Sequence, residues 1–235
     1  MKIDAITLFP EMFSPMEVSI MGRAQKAGIL DFNTVQLRDF AINEYGQVDD
    51  APYGGEAGMV LRPEPLAQAI KHCQKTKTQS TVIHLCPDGK TFDQQMAQEL
   101  AHKEHLILVC GHYKGIDQRI RDKYVDMEVS LGDFVISGGE LAAMMLSDAV
   151  VRLIPGVLNR FESAETDSFS QNMLAWPIYT RPEEFEGLKV PKVLLSGHHK
   201  NIKQWQKAQA LKITQEKRPD LLKKTELSDE DLRLL

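Results

Sequence analysis

L-G-D-F-V-I-S-G-G-E, residues 131–140, runs straight into a long apolar helical pattern, L-A-A-M-M-L-S-D-A-V-V-R-L, residues 141–153. The stretch reads as a short apolar strand ending in Ser137-Gly138-Gly139, with a helix opened by Glu140. Paired glycines at a strand end let the backbone approach a ligand and take positive φ without a Cβ penalty. The adjoining helix N-terminus offers free N–H groups to that ligand. No G-x-G-x-x-G follows a predicted strand and no G-x-x-x-x-G-K-[ST] occurs, so the stretch is neither the standard dinucleotide fingerprint nor a P-loop. A plain glycine turn from strand to helix is the competing reading of these residues alone.

Outward from this stretch, strand and helix patterns alternate. Lys2 to Phe9 reads as a strand stopped by Pro10. Met12 to Ala27 has helical spacing ended by Gly28. Phe32 to Leu37 is a second strand, and Asn43 to Met59 a glycine-rich loop. Leu66 to Gln74 is helical, Thr81 to Leu85 a strand, and Pro87-Asp88-Gly89 a turn. Asp93 caps a helix to about His102. Leu106 to Cys110 is a buried-type strand, Ile116 to Lys123 a short helix, and Val125 to Ser130 another strand. Such alternation predicts an α/β layer with a parallel sheet. The long helix stops at Pro155-Gly156, and Asn159 to Ala175 has no periodicity and reads as a linker or functional loop. Beyond Trp176-Pro177 the pattern turns helical: Asn201 to Ile213, Leu221 to Lys224, and a last helix with a capping box from Ser228 to Asp231.

Length and composition bound the class. A chain of 235 residues, 43% hydrophobic and 26% charged, can bury one large core or two smaller ones. Its apolar runs are far too short to span a bilayer, and its first residues enter a strand without a signal-peptide pattern. Cys73, Cys86 and Cys110 are odd in number and widely spaced, which suggests buried thiols in a reducing cytoplasm rather than disulfides or a zinc site. The net charge of −5 is uneven: Lys192 to Lys224 carries nine Lys/Arg against Glu216 and Asp220, leaving +7 there and −12 elsewhere. A basic module for a polyanion and a solvated lysine-rich helix face both fit that run.

Ligands of α/β sheets sit at the carboxyl edge of the strands. Three loops leave strands there with turn-forming or glycine-rich sequence: Cys86-Pro-Asp-Gly89, Gly111-His-Tyr-Lys-Gly115, and Gly132 to Gly139. Together they suggest a backbone-lined pocket for a small polar ligand. A fourth loop, Val48 to Met59, has enough glycine for close approach to a ligand or nucleic acid, or is a flexible surface loop. Asp167 in a loop and Arg152 at the end of the long helix suit proton abstraction beside a carbonyl. By spacing alone they are equally a solubilising carboxylate and a charge that offsets the helix dipole.

The motifs then combine. Leu8-Phe-Pro-Glu-Met-Phe13, Val48-Asp-Asp-Ala-Pro-Tyr-Gly-Gly55, Leu108-Val-Cys-Gly111 with Gly115-Ile-Asp117, and Gly132-Asp133 with Ser137-Gly-Gly-Glu-Leu141 stand in order along the chain. Ile154-Pro-Gly-Val-Leu158, Asp167-Ser-Phe169, Tyr179-Thr-Arg-Pro182 and Val193-Leu-Leu-Ser-Gly197 follow. In this order and spacing the chain resembles the TrmD family, bacterial tRNA (guanine-N1)-methyltransferases of the SPOUT class, over essentially its whole length.

The resemblance implies a deep trefoil knot, an exception to the usual topology rules, in a knotted α/β domain over residues 1–158. It implies a linker over 159–175 that orders on substrate, and a smaller, mainly helical tRNA-binding domain over 176–235. It implies S-adenosylmethionine as methyl donor, the anticodon stem-loop of tRNA as substrate, a cytoplasmic homodimer with shared sites, and no membrane association. Methylation would fall on N1 of the guanosine immediately 3′ of the anticodon, with Asp167 as general base and Arg152 facing guanine O6. The cofactor residues would be Leu85, Cys86, Pro87, Gly111, Lys114, Leu131, Gly132, Asp133, Phe134, Val135, Ile136, Gly138, Gly139 and Ala142, with no metal ligand among them.

The chain departs from the family pattern at several positions. Glu56 replaces a third glycine, His112 an arginine, Lys114 a glutamate linked to magnesium use, Cys86 a serine and Ala142 a proline. Lys114 reverses a charge, so a magnesium requirement stays open. A SPOUT methyltransferase of other specificity and a non-catalytic tRNA-binding protein are the alternative expectations.

Overall fold

The computed structural model describes residues 1–75, 79–158, 166–223, 225 and 227–235. It falls into two compact units, Met1–Asn159 and Arg160–Leu235.

The first unit is a three-layer α/β/α body. Its strands are β1 (Lys2–Thr7), β2 (Asp31–Gln36), β3 (Asp49–Asp50), β4 (Val60–Leu61), β5 (Ser80–Thr91), β6 (His105–Cys110) and β7 (Met127–Ser130). Its helices are α1 (Ser19–Lys26), α2 (Pro63–Cys73), α3 (Gln94–Ala101), α4 (Gln118–Tyr124) and α5 (Glu140–Val151). Five strands form one sheet in the order β2-β1-β6-β5-β7, every pairing parallel. The predicted parallel α/β layer is therefore present.

Side chains alternate across a strand, so β6 feeds two cores. Leu106, Leu108 and Cys110 join Met96, Leu100, Ala143, Leu146 and Val150 from α3 and α5. Ile107 and Val109 join Leu66, Ala69, Ile70 and Ile120 from α2 and α4. Burial of both faces explains why Leu106 to Cys110 reads as an unbroken apolar run.

Some expected elements differ. The pattern from Met12 to Ala27 is a 3-10 helix, Pro10–Glu17, followed by α1. Pro15 lacks the N–H that would continue the ladder, and Val18 is extended between the two pieces. No strand covers the apolar residues before Ser137-Gly138: β7 ends at Ser130, and residues 131–139 form a loop. Phe134, Val135 and Ile136 are exposed on it. Gly132, at φ 140, turns the chain out of the sheet. β5 runs on past Leu85 to Thr91, beyond the expected turn.

The second unit has a short hairpin, β8 (Glu184–Phe185) with β9 (Leu188–Lys189). Among the described residues four helices follow: α6 (Lys192–Leu195), α7 (His199–Lys217), α8 (Pro219–Leu222) and α9 (Asp229–Leu234). Its core is small, built on Ala210, Leu211, Thr214 and Leu221. The capping box is present, with Ser228 accepting from the Asp231 N–H and Asp231 from the Ser228 N–H. Part of the expected linker, 159–165, and Lys224 lie outside the described residues. Among the described residues no helix is long and apolar enough to cross a membrane.

Candidate active site

Leu85 pairs with Cys110 on one side and Val129 on the other. The residues just beyond these three therefore leave the sheet at one shared edge. β5 pairs with β7 through Leu85, departs for residues 86–89, and re-pairs through Lys90 with Val129 again. Gly89 makes this excursion feasible, because a Cβ there would sit 2.4 Å from the Val129 nitrogen. Arg121 of α4 pins it, with one guanidinium nitrogen 2.5 Å from Asp88 and a two-point contact to Glu128 at 2.5 and 2.9 Å.

Hydrogen bonds from Arg121 hold the Asp88 and Glu128 carboxyls below their ordinary values of 3.8 and 4.5. Depressed carboxylates contribute stability above their unfolded values and lose it as pH falls through the folded ones. Arg121→Met should therefore cost about 1 kcal/mol at pH 7, a modest figure because solvent screens the exposed Asp88. The deficit should shrink below about pH 4. Urea titrations at pH 7 and pH 3 measure it, and an equal deficit at both would remove the charge explanation.

The three edge loops close around a cavity of about 260 Å³. Leu85, Cys86, Pro87, Gly111, Lys114, Leu131, Gly132, Phe134, Val135, Ile136, Gly138, Gly139 and Ala142 line it. Asp133 is exposed and does not. His84, His112, Tyr113, Gly115, Val129, Ser130 and Ser137 also line the cavity and were not among the predicted cofactor residues. Of these, His112, Tyr113, Gly115 and Ser137 lay inside the loops already singled out. His84 had only its place one residue before Leu85 as a signal.

Two titratable groups of the wall are muted by burial. Desolvation lowers the pKa of His84, whose Nδ1 lies 3.3 Å from the Val109 carbonyl oxygen. Desolvation also pushes the Cys86 thiol up to about 12, so Cys86 is no thiolate nucleophile at neutral pH. Among the described residues, Cys86, Asp88 and Glu128 bring ligand-type atoms within 4.8 Å of one another. Arg121 already holds both carboxylates.

Glu140, the first residue of α5, is wholly buried. It accepts hydrogen bonds from Thr7 Oγ1 at 2.6 Å and His112 Nε2 at 2.7 Å. At the rim, Lys114 Nζ stands 3.8 Å from Glu56 of the 48–59 loop. That loop is closed by β3 and β4 and runs beside residues 113–117 through backbone bonds such as Leu61 N to the Gly115 carbonyl at 3.0 Å. The two charge departures, Glu56 and Lys114, thus face each other.

Glycine walls let backbone groups meet a ligand directly, and Leu85, Leu131, Phe134, Ile136 and Ala142 supply apolar contact. Lys114 and Glu56 put both charge signs at the mouth. This donor set fits a nucleoside with a zwitterionic tail, as S-adenosylmethionine is.

Arg152 and Asp167 are not among the residues that line this cavity. Arg152 is the C-cap of α5, whereas the cavity touches the other end of that helix, at Gly139 and Ala142. A helix of 12 residues separates the two ends by about 18 Å. Asp167 belongs to the second unit. There it lines a cavity of about 450 Å³ with Trp176, Lys203, Gln206 and Lys207 among others. Its carbonyl accepts from Ser170 Oγ at 2.7 Å, and the segment is tied to α7 by Leu174 N donating to Thr214 Oγ1 at 2.9 Å.

The family described as tRNA (Guanine-1)-methyltransferase TrmD matches residues 1–224. Curated relatives named tRNA (guanine-N(1)-)-methyltransferase include one from Clostridium perfringens strain ATCC 13124, 54% identical over 235 residues, spanning all of this chain and 99% of the relative. Relatives of the same name from Staphylococcus haemolyticus and Halalkalibacterium halodurans are 53% and 54% identical, each spanning all of this chain and 96% of its own length. The chain belongs to the TrmD family of tRNA (guanine-1)-methyltransferases and is an enzyme of that family.

Proposed function

We propose that this protein transfers a methyl group from S-adenosylmethionine to N1 of the guanosine immediately 3′ of the anticodon in tRNA. The carrying observation is the cavity of three glycine-rich loops at the sheet edge, in a chain whose relatives are named for methylation of guanine N1 in tRNA. Bound there, S-adenosylmethionine supplies an electrophilic methyl group.

Guanine N1 carries a proton and is a poor nucleophile. Asp167 takes that proton as the new bond forms, and Arg152 stabilises the charge that grows on O6. The target base has to leave the anticodon-loop stack to be reached. The cationic side chains of α7, including Lys200, Lys203, Lys207 and Lys212, supply phosphate contacts, so tRNA affinity falls with salt.

The working protein is a homodimer with shared sites. Arg152 is about 15 Å along α5 from Ala142, the cavity residue of that helix nearest to it, so a second copy is the natural source of a guanidinium that faces the cavity. The exposed Leu141 and Met145, one turn apart on α5, and the exposed Phe9 and Met12 offer apolar surface for that partner. A knotted domain over 1–158, a linker over 159–175 and a tRNA-binding domain over 176–235 complete the reading. The three buried cysteines, none of them in a disulfide, favour a cytoplasmic setting.

Acceptor specificity tests the proposal. An unmodified transcript with guanosine at the target position and guanosine before it takes label from S-adenosylmethionine, and the same transcript with adenosine at the target takes none. The assay is run with and without magnesium because Lys114 puts a cation at the cavity rim. Label persisting in the adenosine transcript would mean another specificity. No label with tRNA still bound would mean a binding protein.

A further inference from the structure

We infer that His112 is a positioning residue: the proton it donates to buried Glu140 fixes the distance between two walls of the cavity, residues 111–115 and 137–139. A carboxylate with no exposed surface needs compensation for lost water. Glu140 finds it on both oxygens, from Thr7 at 2.6 Å on Oε1 and from His112 at 2.7 Å on Oε2. Its place at the N-terminus of α5 sets it against the positive end of the helix dipole. Thr7 ends β1, His112 follows β6 and Glu140 opens α5, so one carboxylate gathers three segments.

The clasp lies across the cavity wall itself. His112 and Gly138 form an isolated bridge, and Gly139 N donates to the Gly111 carbonyl at 2.9 Å. A Cβ on Gly138 would sit 2.2 Å from His112 Cε1 and 2.6 Å from Glu140 Oε2. The histidine–glutamate contact therefore fills the volume a side chain at 138 would need. Phe9 packs edge-on against the imidazole at 5.1 Å and keeps it in place. Without the imidazole, Oε2 has lost its donor, and residues 111–115 and 137–139 are held together by the backbone bridge alone, so the walls can drift apart. The fraction of protein with a formed cavity then falls, and apparent affinity falls with it.

This inference rests on the reading that the cavity takes S-adenosylmethionine, and its test separates the two. Calorimetry with S-adenosylmethionine is done on the full-length protein, on His112→Ala and on His112→Gln, whose amide can donate to Glu140. His112→Ala should bind about ten- to a hundredfold more weakly. Its KM for the cofactor should rise in step, with kcat at saturation within about threefold of the parent. His112→Gln should recover most of the affinity. Hydrogen exchange on the ligand-free proteins should show the 111–115 and 137–139 amides less protected in His112→Ala and restored in His112→Gln.

Unchanged affinity and protection in His112→Ala would overturn the inference, as would a loss of kcat with affinity intact or a loss not repaired by glutamine. If the parent protein itself binds no S-adenosylmethionine, the cofactor reading fails, and the exchange data alone decide whether the clasp holds the walls.

Discussion

Asp167→Asn is expected to slow methyl transfer by about 10²–10⁴-fold, the usual contribution of a positioned general base. The substitution keeps size and removes the ability to take a proton. It leaves the Asp167 carbonyl, which anchors Ser170, in place. Binding of S-adenosylmethionine and of tRNA should therefore stay within about twofold, so the loss appears in kcat rather than KM. Single-turnover rates with saturating cofactor and tRNA measure it. A variant with the parent's rate would show that another group takes the N1 proton.

Gly139→Ala is expected to weaken cofactor binding by the opposite route, through the cavity wall. A Cβ at 139 would lie 2.7 Å from Cys110 Cα and 3.0 Å from Gly111 N. Both are backbone atoms of the β6 exit, so no side chain can swing aside. Relieving the contact pushes α5 from the sheet edge and breaks the bond from Gly139 N to the Gly111 carbonyl. Overpacking of this kind costs about 1–3 kcal/mol of stability, and the displaced wall should weaken S-adenosylmethionine binding more than about a hundredfold. Thermal melts and calorimetry read the two effects separately. Lowered stability with unchanged affinity would show that the cofactor does not rest on this wall.

Much of this arrangement was legible from local sequence. Leu106 to Cys110 could be read as a buried strand because both faces of β6 are covered. Asp93 could be read as a cap, and it accepts from the Met96 N–H at 2.9 Å. The glycine loops announced the cavity because close backbone approach leaves its mark in residue type.

What escaped depends on residues far apart or on space rather than period. Phe134 to Ile136 looked like a strand, since apolar residues that line a cavity have the same composition as those that face a core. The return of β5 to the sheet at Lys90 is invisible without β7 beside it. Thr7 and Glu140 are 133 positions apart, and nothing near either residue signals that one will satisfy the other. The distance from Arg152 to the cavity becomes evident only once α5 is laid out as a helix.

That distance makes complementation the most direct test of the shared site. Asp167→Asn and Gly139→Ala proteins, each inactive alone, are unfolded together and refolded to form mixed dimers, with light scattering to verify assembly. A site built from the cavity of one chain and Asp167 of the other is intact once in each mixed dimer. Random pairing should then restore about a quarter of the parent's activity. Mixed dimers that stay inactive would contradict the account and place cavity and base on the same chain.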